Sequence, residues 1–461
     1  MRGFSPTDTA MLAADQPNAQ NILVTIGIYE PSTDGIAFDE ILEFVASRLH
    51  VAPSFTERIE HKPFRLGRPA WVNDESFDLS YHVRQIALPA PGDWQQFRVQ
   101  VARLAERPLD LDRPPWELYV IEGLEAIGGV APGSFAVLLK LHQAAVGDAT
   151  GVDILTALHD TSQSVPSWPQ RKPVAEQRGG NPIGSLAGWA VHMATRPLAV
   201  AMAVVPPLID MSLSLLRRSD DSSRGRTTLL TATRFNHPLG PHRSFGAVHF
   251  PLADVRALRA GSPGSTVNDV GLALIAGGLR QYLDEKGELP DSSLLALTPV
   301  TLRQDAGASE DRQFGTTIAS LATHREHPLA RLQVIHHCTQ ALKQNGAVDA
   351  RSLLGLAEVL PGALVGSVQR AIVGAVSKTG RTLGFHTVIT NVPGPRIPLY
   401  FCGARATMLT GMSPVHDGVG LTHAISSYDG TVTLSFTADR LMLPDPDVYE
   451  RITRGGKLAD A

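Results

Sequence analysis

Residues 135–141 form an apolar run, Phe-Ala-Val-Leu-Leu-Lys-Leu, broken only by Lys140, and the run stops at His142. A short apolar run ending on a polar residue predicts a buried strand that delivers that residue to a cavity. Gln143, the small residues Ala144 and Ala145, Val146, Gly147 and then the acidic Asp148 follow at once. A chain built around such a strand has to layer other elements over it.

The neighbouring sequence supplies them. Residues 38–49 and 97–104 carry apolar side chains at helical spacing, with Phe97, Val101 and Leu104 on one face. Residues 117–121 and 134–141 read as strands. This mixing predicts an α/β or α+β layered domain. Ser5 followed by Pro6 looks like a helix N-cap with proline at the first helical position.

A chain of 461 residues exceeds one ordinary core, so more than one domain is expected. We divide it into an N-terminal domain over 1–170, a connector over 171–233 and a C-terminal domain over 234–461. Prolines, glycines and charges crowd 164–181, as in a connector. The apolar stretch 197–209 is shorter than the roughly 20 residues of a membrane span. It reads as a helical linker packed between domains, or as an interfacial helix with Arg217, Arg218, Arg224 and Arg226 toward lipid headgroups.

In the second half, 253–260 and 270–283 are expected to be helices. Segments 424–427 and 431–436 flank the hairpin-turn signal Tyr428-Asp429-Gly430. The N-terminus lacks the uninterrupted apolar stretch of a signal peptide. Two widely separated cysteines, Cys338 and Cys402, offer neither a disulfide framework nor a metal cluster and fit a reducing cytoplasm. A net charge of -4 gives no electrostatic reason to expect nucleic-acid binding.

The segment from Leu139 to Ala149 resembles the HHxxxDG signature of the wax ester synthase/diacylglycerol acyltransferase family, with two departures. Gln143 stands where the family has its second histidine, and Gly147-Asp148 replaces Asp-Gly. Collinear segments carry the resemblance along nearly the whole chain. Arg107 to Glu117, including Arg113 and Trp116, looks like PLDxxRPLWE with Pro115 for leucine. Asn268-Asp269 matches an ND motif at a helix start. Asn391-Val392-Pro393-Gly394-Pro395 matches NVPGP, and Ala438-Asp439-Arg440 fits near the end.

The resemblance implies two chloramphenicol-acetyltransferase-like domains joined by a helical linker, with a tunnel between them. It also implies acyl transfer from acyl-CoA, as co-substrate, to diacylglycerol or a long-chain alcohol, with no metal or other cofactor. A cytoplasmic protein with peripheral contact to a membrane or lipid-droplet surface would suit such acceptors. The implied catalytic positions are His142, Gln143 and Asp148. Arg113, Trp116, Asn268, Asp269, Asn391, Pro393 and Gly394 are implied to line the tunnel or the domain interface.

The altered motif changes the chemistry. Esterification requires a base for the hydroxyl proton and donors for the oxyanion. The family's second histidine is that base, and a glutamine amide does not accept a proton usefully at pH 7. If the strand runs through this position, His142 faces away from the site that Gln143 occupies. A one-residue bulge would restore both the histidine and the Asp148 register. Three outcomes follow: a slow acyltransferase, an enzyme with a relocated base, or a lipid or acyl-CoA binder without chemistry. An acyltransferase of the same fold with another alcohol acceptor is a further reading. His386, His416 and His423 are the candidate substitute bases, whereas His336-His337 on a presumed helix is expected to be structural. Trp116 also reads as a core residue, Asn268 and Asp269 as helix caps, and the Pro393–Pro395 segment as a rigid turn whose N–H groups could face an oxyanion.

Overall fold

The structure, a computed structural model, describes residues 2–13, 15–16, 18–31, 35–61, 69–146, 158–163, 229–301, 314–345 and 374–455. Asp148, the 164–181 connector, the 197–209 stretch and the four arginines after it lie outside the described residues.

Two six-stranded sheets organise the rest. The first runs, in spatial order, Tyr400–Phe401, Ala404–Met412, Ile22–Glu30, Phe135–His142, Trp116–Glu122 and Val83–Ala87. Phe135–His142 is central and every one of its residues is buried. Both of its faces are covered, which is why it reads as a continuous apolar run and not as an alternation. Val137, Leu139 and Leu141 pack with Phe44 and Val45 of the Phe38–Arg48 helix. Ala136 and Leu138 pack with Phe97 and Val101 of the Trp94–Glu106 helix, together with Phe245 and Ala247 from the second half. The expected N-cap at Ser5 is present: Asp8 N–H donates to Ser5 Oγ at 3.0 Å at the start of the Pro6–Ala13 helix.

Lys140, the interruption in the run, is fully buried. Its Nζ donates to Glu117 Oε2 at 3.0 Å and to the Arg107 carbonyl at 2.8 Å. Glu117 is its register partner on the neighbouring strand. Burial pulls the Lys140 ammonium below its ordinary pKa, and Glu117 opposes that pull.

The second sheet runs Phe314–Ser320, Leu295–Thr301, Thr387–Pro393, Leu421–Tyr428, Thr431–Asp439 and Arg243–Pro251. The Val267–Glu285 helix buries Val270, Leu274 and Ile275 in its core. The Tyr428–Thr431 hairpin closes through Asp429 and Gly430, both at positive φ (40° and 84°). That is the two-residue geometry favoured by an Asp-Gly pair.

One connection departs from the sequence division. Residues 400–412, in the second half of the chain, join the first sheet, where Ala404–Met412 pairs antiparallel with Ile22–Glu30. The halves are tied further by Glu450 on the C-terminal helix Pro446–Gly455. Its Oε1 accepts from Trp94 Nε1 at 3.2 Å and from Ala247 N–H at 2.8 Å, while Arg98 lies 3.6 Å away.

Buried imidazoles make stability depend on pH. His423, 3% exposed, bonds Tyr449 Oη at 2.8 Å, and burial lowers its pKa to about 3. Burial also lowers His249, to about 4, as well as His82 and His386. A folded pKa below the unfolded one means that the unfolded chain takes up the proton first. Stability is therefore present above pH 6.5 and lost as pH falls toward the folded values, by about 1.4 kcal/mol per pH unit for each such histidine. Urea unfolding between pH 6.5 and 5 is expected to show this loss, with a slope about one proton shallower in His423→Asn.

Candidate active site

Tertiary pairing brings the end of the motif strand to the boundary between the halves. Strand geometry stops at His142, and Gln143 opens a single 3₁₀ turn, Gln143–Ala145. The expectation that His142 and Gln143 alternate across a continuing strand therefore does not apply. Gln143 N–H donates to the Asn21 carbonyl at 2.8 Å, and its side chain is half-buried.

His142 is fully buried and both ring nitrogens are engaged. Nδ1 accepts from Ala144 N–H at 3.2 Å, so the ring proton sits on Nε2 and is donated to Asp15 Oδ2 at 3.0 Å. Asp15 Oδ1 in turn accepts from Asn21 N–H at 2.8 Å and Asn21 Nδ2 at 3.2 Å. The group acts as a clasp: it fixes the strand end and the Asp15–Asn21 segment to each other, with both ring nitrogens of His142 engaged in it.

Beside this clasp lies a small cleft of about 40 Å³, open to solvent. Asn18, Ala19, Gln20 and Ile22 form one wall, and Ile22 is the register partner of His142. Arg243 and Ser413–Val415, from the second half, form another. Arg243 Nη2 donates to the Asn18 carbonyl, and Asn18 Nδ2 donates to the Leu239 carbonyl at 3.0 Å, so the walls are bonded across the boundary.

The other expected positions are dispersed. Trp116 is 1% exposed, donates Nε1–H to the Phe55 carbonyl at 3.0 Å and stacks on His82, so it is a core residue and lines no cleft. Arg113 lies over the Tyr81 ring at 4.0 Å and near Asp110, away from the cleft walls. Asp269 caps its helix: Oδ2 accepts from Thr266 N–H at 2.8 Å and His336 Nδ1 at 3.0 Å, and Oδ1 from Thr339 at 2.8 Å. Burial would raise its pKa, but these bonds hold it below the usual value. Asn268 Oδ1 is buried in the same turn with no partner among the described residues.

The strand Thr387–Pro393 runs up to the segment 393–395 expected to be a turn, and Gly394 and Pro395 lie beyond its end. Asn391 and Pro393 are exposed, in parallel register with Ile425 and Ser427. Gly394 N–H donates to the Ser427 carbonyl at 2.9 Å and so is not free for an oxyanion. A Cβ on Gly394 would stand 2.3 Å from that carbonyl oxygen, which requires glycine there. The link from this segment to the cleft is Thr390 Oγ1, 3.2 Å from Ser413 Oγ.

Among the candidate bases, His386 accepts Leu295 N–H on Nδ1 and bonds the Thr231 carbonyl through Nε2, and His423 is bonded to Tyr449. Neither ring is free. His416 is half-buried and has no side-chain hydrogen bond among the described residues. His337 is exposed and His336 is bonded to Asp269, so the pair is structural as expected. Asp15, Asn18, Arg243 and Ser413 carried no local signal in the sequence.

Residues 4–271 match the wax ester synthase/diacylglycerol acyltransferase catalytic domain, and residues 312–451 match the C-terminal domain of the same family. The chain belongs to the wax ester synthase/diacylglycerol acyltransferase family. A probable diacylglycerol O-acyltransferase, tgs1, of Mycobacterium tuberculosis H37Rv is 30% identical over 485 residues, covering 100% of this chain and 94% of the relative. A putative diacylglycerol O-acyltransferase of Mycobacterium tuberculosis CDC 1551 is 30% identical over 463 residues, covering 95% and 92%.

The fold is that of the wax ester synthase/diacylglycerol acyltransferase from Marinobacter aquaeolei VT8, with TM-score 0.70, 24% identity, and 99% and 98% of the two chains covered. It is also similar to the starter condensation domain of rhizomide synthetase in complex with C8-CoA, with TM-score 0.51, 15% identity, and 99% and 93% covered. The two mixed α/β halves are thus the chloramphenicol-acetyltransferase-like pair that the sequence implied. Within this family member, the first motif histidine is the buried clasp and the second position is Gln143. Among the described residues, no group of three or more His, Cys, Asp or Glu side chains could hold a metal.

Proposed function

We propose that this chain is an acyl-CoA-dependent O-acyltransferase that esterifies diacylglycerol or a long-chain alcohol in the cleft between its halves. The observation that supports it most is the placement of that cleft. It opens beside the clasped end of the motif strand and draws its walls from both halves. A thioester entering from one side and a hydroxyl from the other would meet there, which converts a bimolecular step into a positioned one. Acyl-CoA is the co-substrate, and no other cofactor is part of the reading.

The acceptor is a lipid alcohol delivered at a membrane or lipid-droplet surface on the cytoplasmic side. No described helix is long and apolar enough to cross a membrane, and peripheral contact is the reading that suits these acceptors. His142 is a positioning residue in this reading, with Asp15 as its partner. Gln143 favours one competing reading, an acyl-CoA binder without chemistry, because an amide cannot take the hydroxyl proton.

Thiol release from palmitoyl-CoA by the full-length protein, with dioleoylglycerol or hexadecanol as acceptor, tests the proposal. Acceptor-dependent CoA release with ester formed in equal amount is expected. Palmitoyl-CoA binding with no acceptor-dependent release would sink the enzyme reading and leave the binder.

A further inference from the structure

The altered motif leaves this enzyme without the base at its usual place, and another imidazole, His416, follows directly on residues that line the cleft. Ser413, Pro414 and Val415 line the cleft together with Asn18–Gln20, and His416 follows directly. The backbone holds it firmly: His416 N–H donates to the Val419 carbonyl at 3.2 Å, and Val419 N–H returns to the His416 carbonyl at 2.8 Å. Gly418 N–H is bonded to the His237 carbonyl, and Asp417 Oδ1 accepts from Leu239 N–H at 2.7 Å, so this turn is anchored on both sides. The imidazole is half-buried without a side-chain hydrogen bond among the described residues, unlike His142, His386 and His423, whose rings are occupied.

The charged groups within electrostatic reach of His416 are Asp15, Asp417 and Arg243. Asp15 is the clasp partner of His142, and Arg243 lines the cleft, so the ring stands at the junction of the motif and the second half. Burial and Arg243 lower its pKa, and the two carboxylates oppose them. The ring is therefore neutral near pH 7, as a base must be. One residue from Asp15, the Gln16 carboxamide is 4% exposed, and its Oε1 and Nε2 have no partner among the described residues. Buried amides are rarely left unpaired, and a polar group of a bound substrate would complete this one.

We propose that His416 is the general base of the acyl transfer, taking over the role that Gln143 cannot fill. The inference rests on the acyltransferase reading above. In the step, the acceptor oxygen forms a bond to the thioester carbonyl carbon as its proton passes to the neutral imidazole. Collapse of the tetrahedral intermediate breaks the carbon–sulfur bond. The imidazolium then protonates the departing thiolate, giving the ester, CoA thiol and a neutral His416.

The test is thiol release from palmitoyl-CoA with hexadecanol by the full-length protein, its His416→Gln and His416→Gly variants, and His337→Gln as an exposed control. His416→Gln is expected to lower kcat by about 10²–10⁴-fold with KM for palmitoyl-CoA little changed. The acid limb of the kcat/KM profile is expected below pH 6.5 in the unmodified protein and absent in His416→Gln. Added imidazole is expected to restore part of the turnover of His416→Gly, which a purely structural histidine would not allow. Equal turnover by the unmodified protein and His416→Gln overturns the base assignment while leaving the acyltransferase reading intact. No turnover by the unmodified protein overturns both. Should the variants fail to fold by circular dichroism, the profile of the unmodified protein decides: no acid limb in the histidine range overturns the assignment.

Discussion

Glu450→Ala is expected to destabilise the folded protein by about 3–5 kcal/mol and to raise KM for both substrates. The Glu450 carboxylate sits where three elements of different origin meet: the Trp94–Glu106 helix, the Arg243–Pro251 strand and its own C-terminal helix. Burial pushes its pKa up and Arg98 opposes the rise, so its charge is held in an unfavourable medium by its neighbours. Truncation leaves Ala247 N–H and Trp94 Nε1–H without their acceptor. It also leaves the Arg98 guanidinium, 5% exposed, with Asp447 as its remaining carboxylate. A buried donor without a partner costs about 1–3 kcal/mol, and a buried charge that loses its partner costs more. Because these bonds draw the halves together, the cleft should loosen as well as the fold. Urea unfolding with KM measured in parallel checks both effects. Glu450→Gln keeps the two hydrogen bonds and is expected to lose less than half as much. Equal losses for alanine and glutamine would show that charge, not hydrogen bonding, holds the contact.

Glu117→Ala is expected to have a comparable effect on stability, about 3–5 kcal/mol, and a larger one on catalysis. Its removal strands the Lys140 ammonium, fully buried, with only the Arg107 carbonyl. Tyr119 Oη loses the carboxylate to which it donates at 2.9 Å. Lys140 lies two residues before His142 on the same strand, so any local opening that admits water moves the clasp and Gln143. Displacements near 1 Å at a reacting site cost about 10²-fold in rate, and thiol release is expected to fall by that order. The discriminating variant is the double replacement Glu117→Leu/Lys140→Met. An apolar pair of similar volume removes both charges together, and such exchanges are often neutral or stabilising. The double variant is therefore expected to recover most of the stability that Glu117→Ala loses. If it is as unstable as Glu117→Ala, the pair contributes more than mutual neutralisation.

Local patterning was enough for much of the fold. The helices at Phe38–Arg48 and Trp94–Glu106, the strands around Trp116–Glu122 and Phe135–His142, and the Asp429-Gly430 hairpin were legible. Each is specified by side-chain period or by a turn residue whose φ requirement is local. Family membership was legible too, because several short motifs occur in one order along the chain. Of the two readings open for Trp116, packing on His82 and Phe55 favours the core one over the tunnel-lining role that the resemblance implied. Local patterning gave no sign that Asn391 and Pro393 pair in parallel with Ile425 and Ser427 as strand.

The sequence by itself determined which segments are buried strands and helices, that the halves are of mixed α/β type, and that the motif lacks its second histidine. Those properties depend on residues near one another along the chain. Only the tertiary structure decided that residues 400–412 return to the first sheet, that Asp15 clasps His142, and that Ser413–Val415 share a cleft with Asn18 and Arg243. Backbone edges accept a strand of suitable pattern with little regard to its place in the sequence. Asp15 and His142 are 127 positions apart, and side chains so far separated meet only after the sheets have set the distances between them.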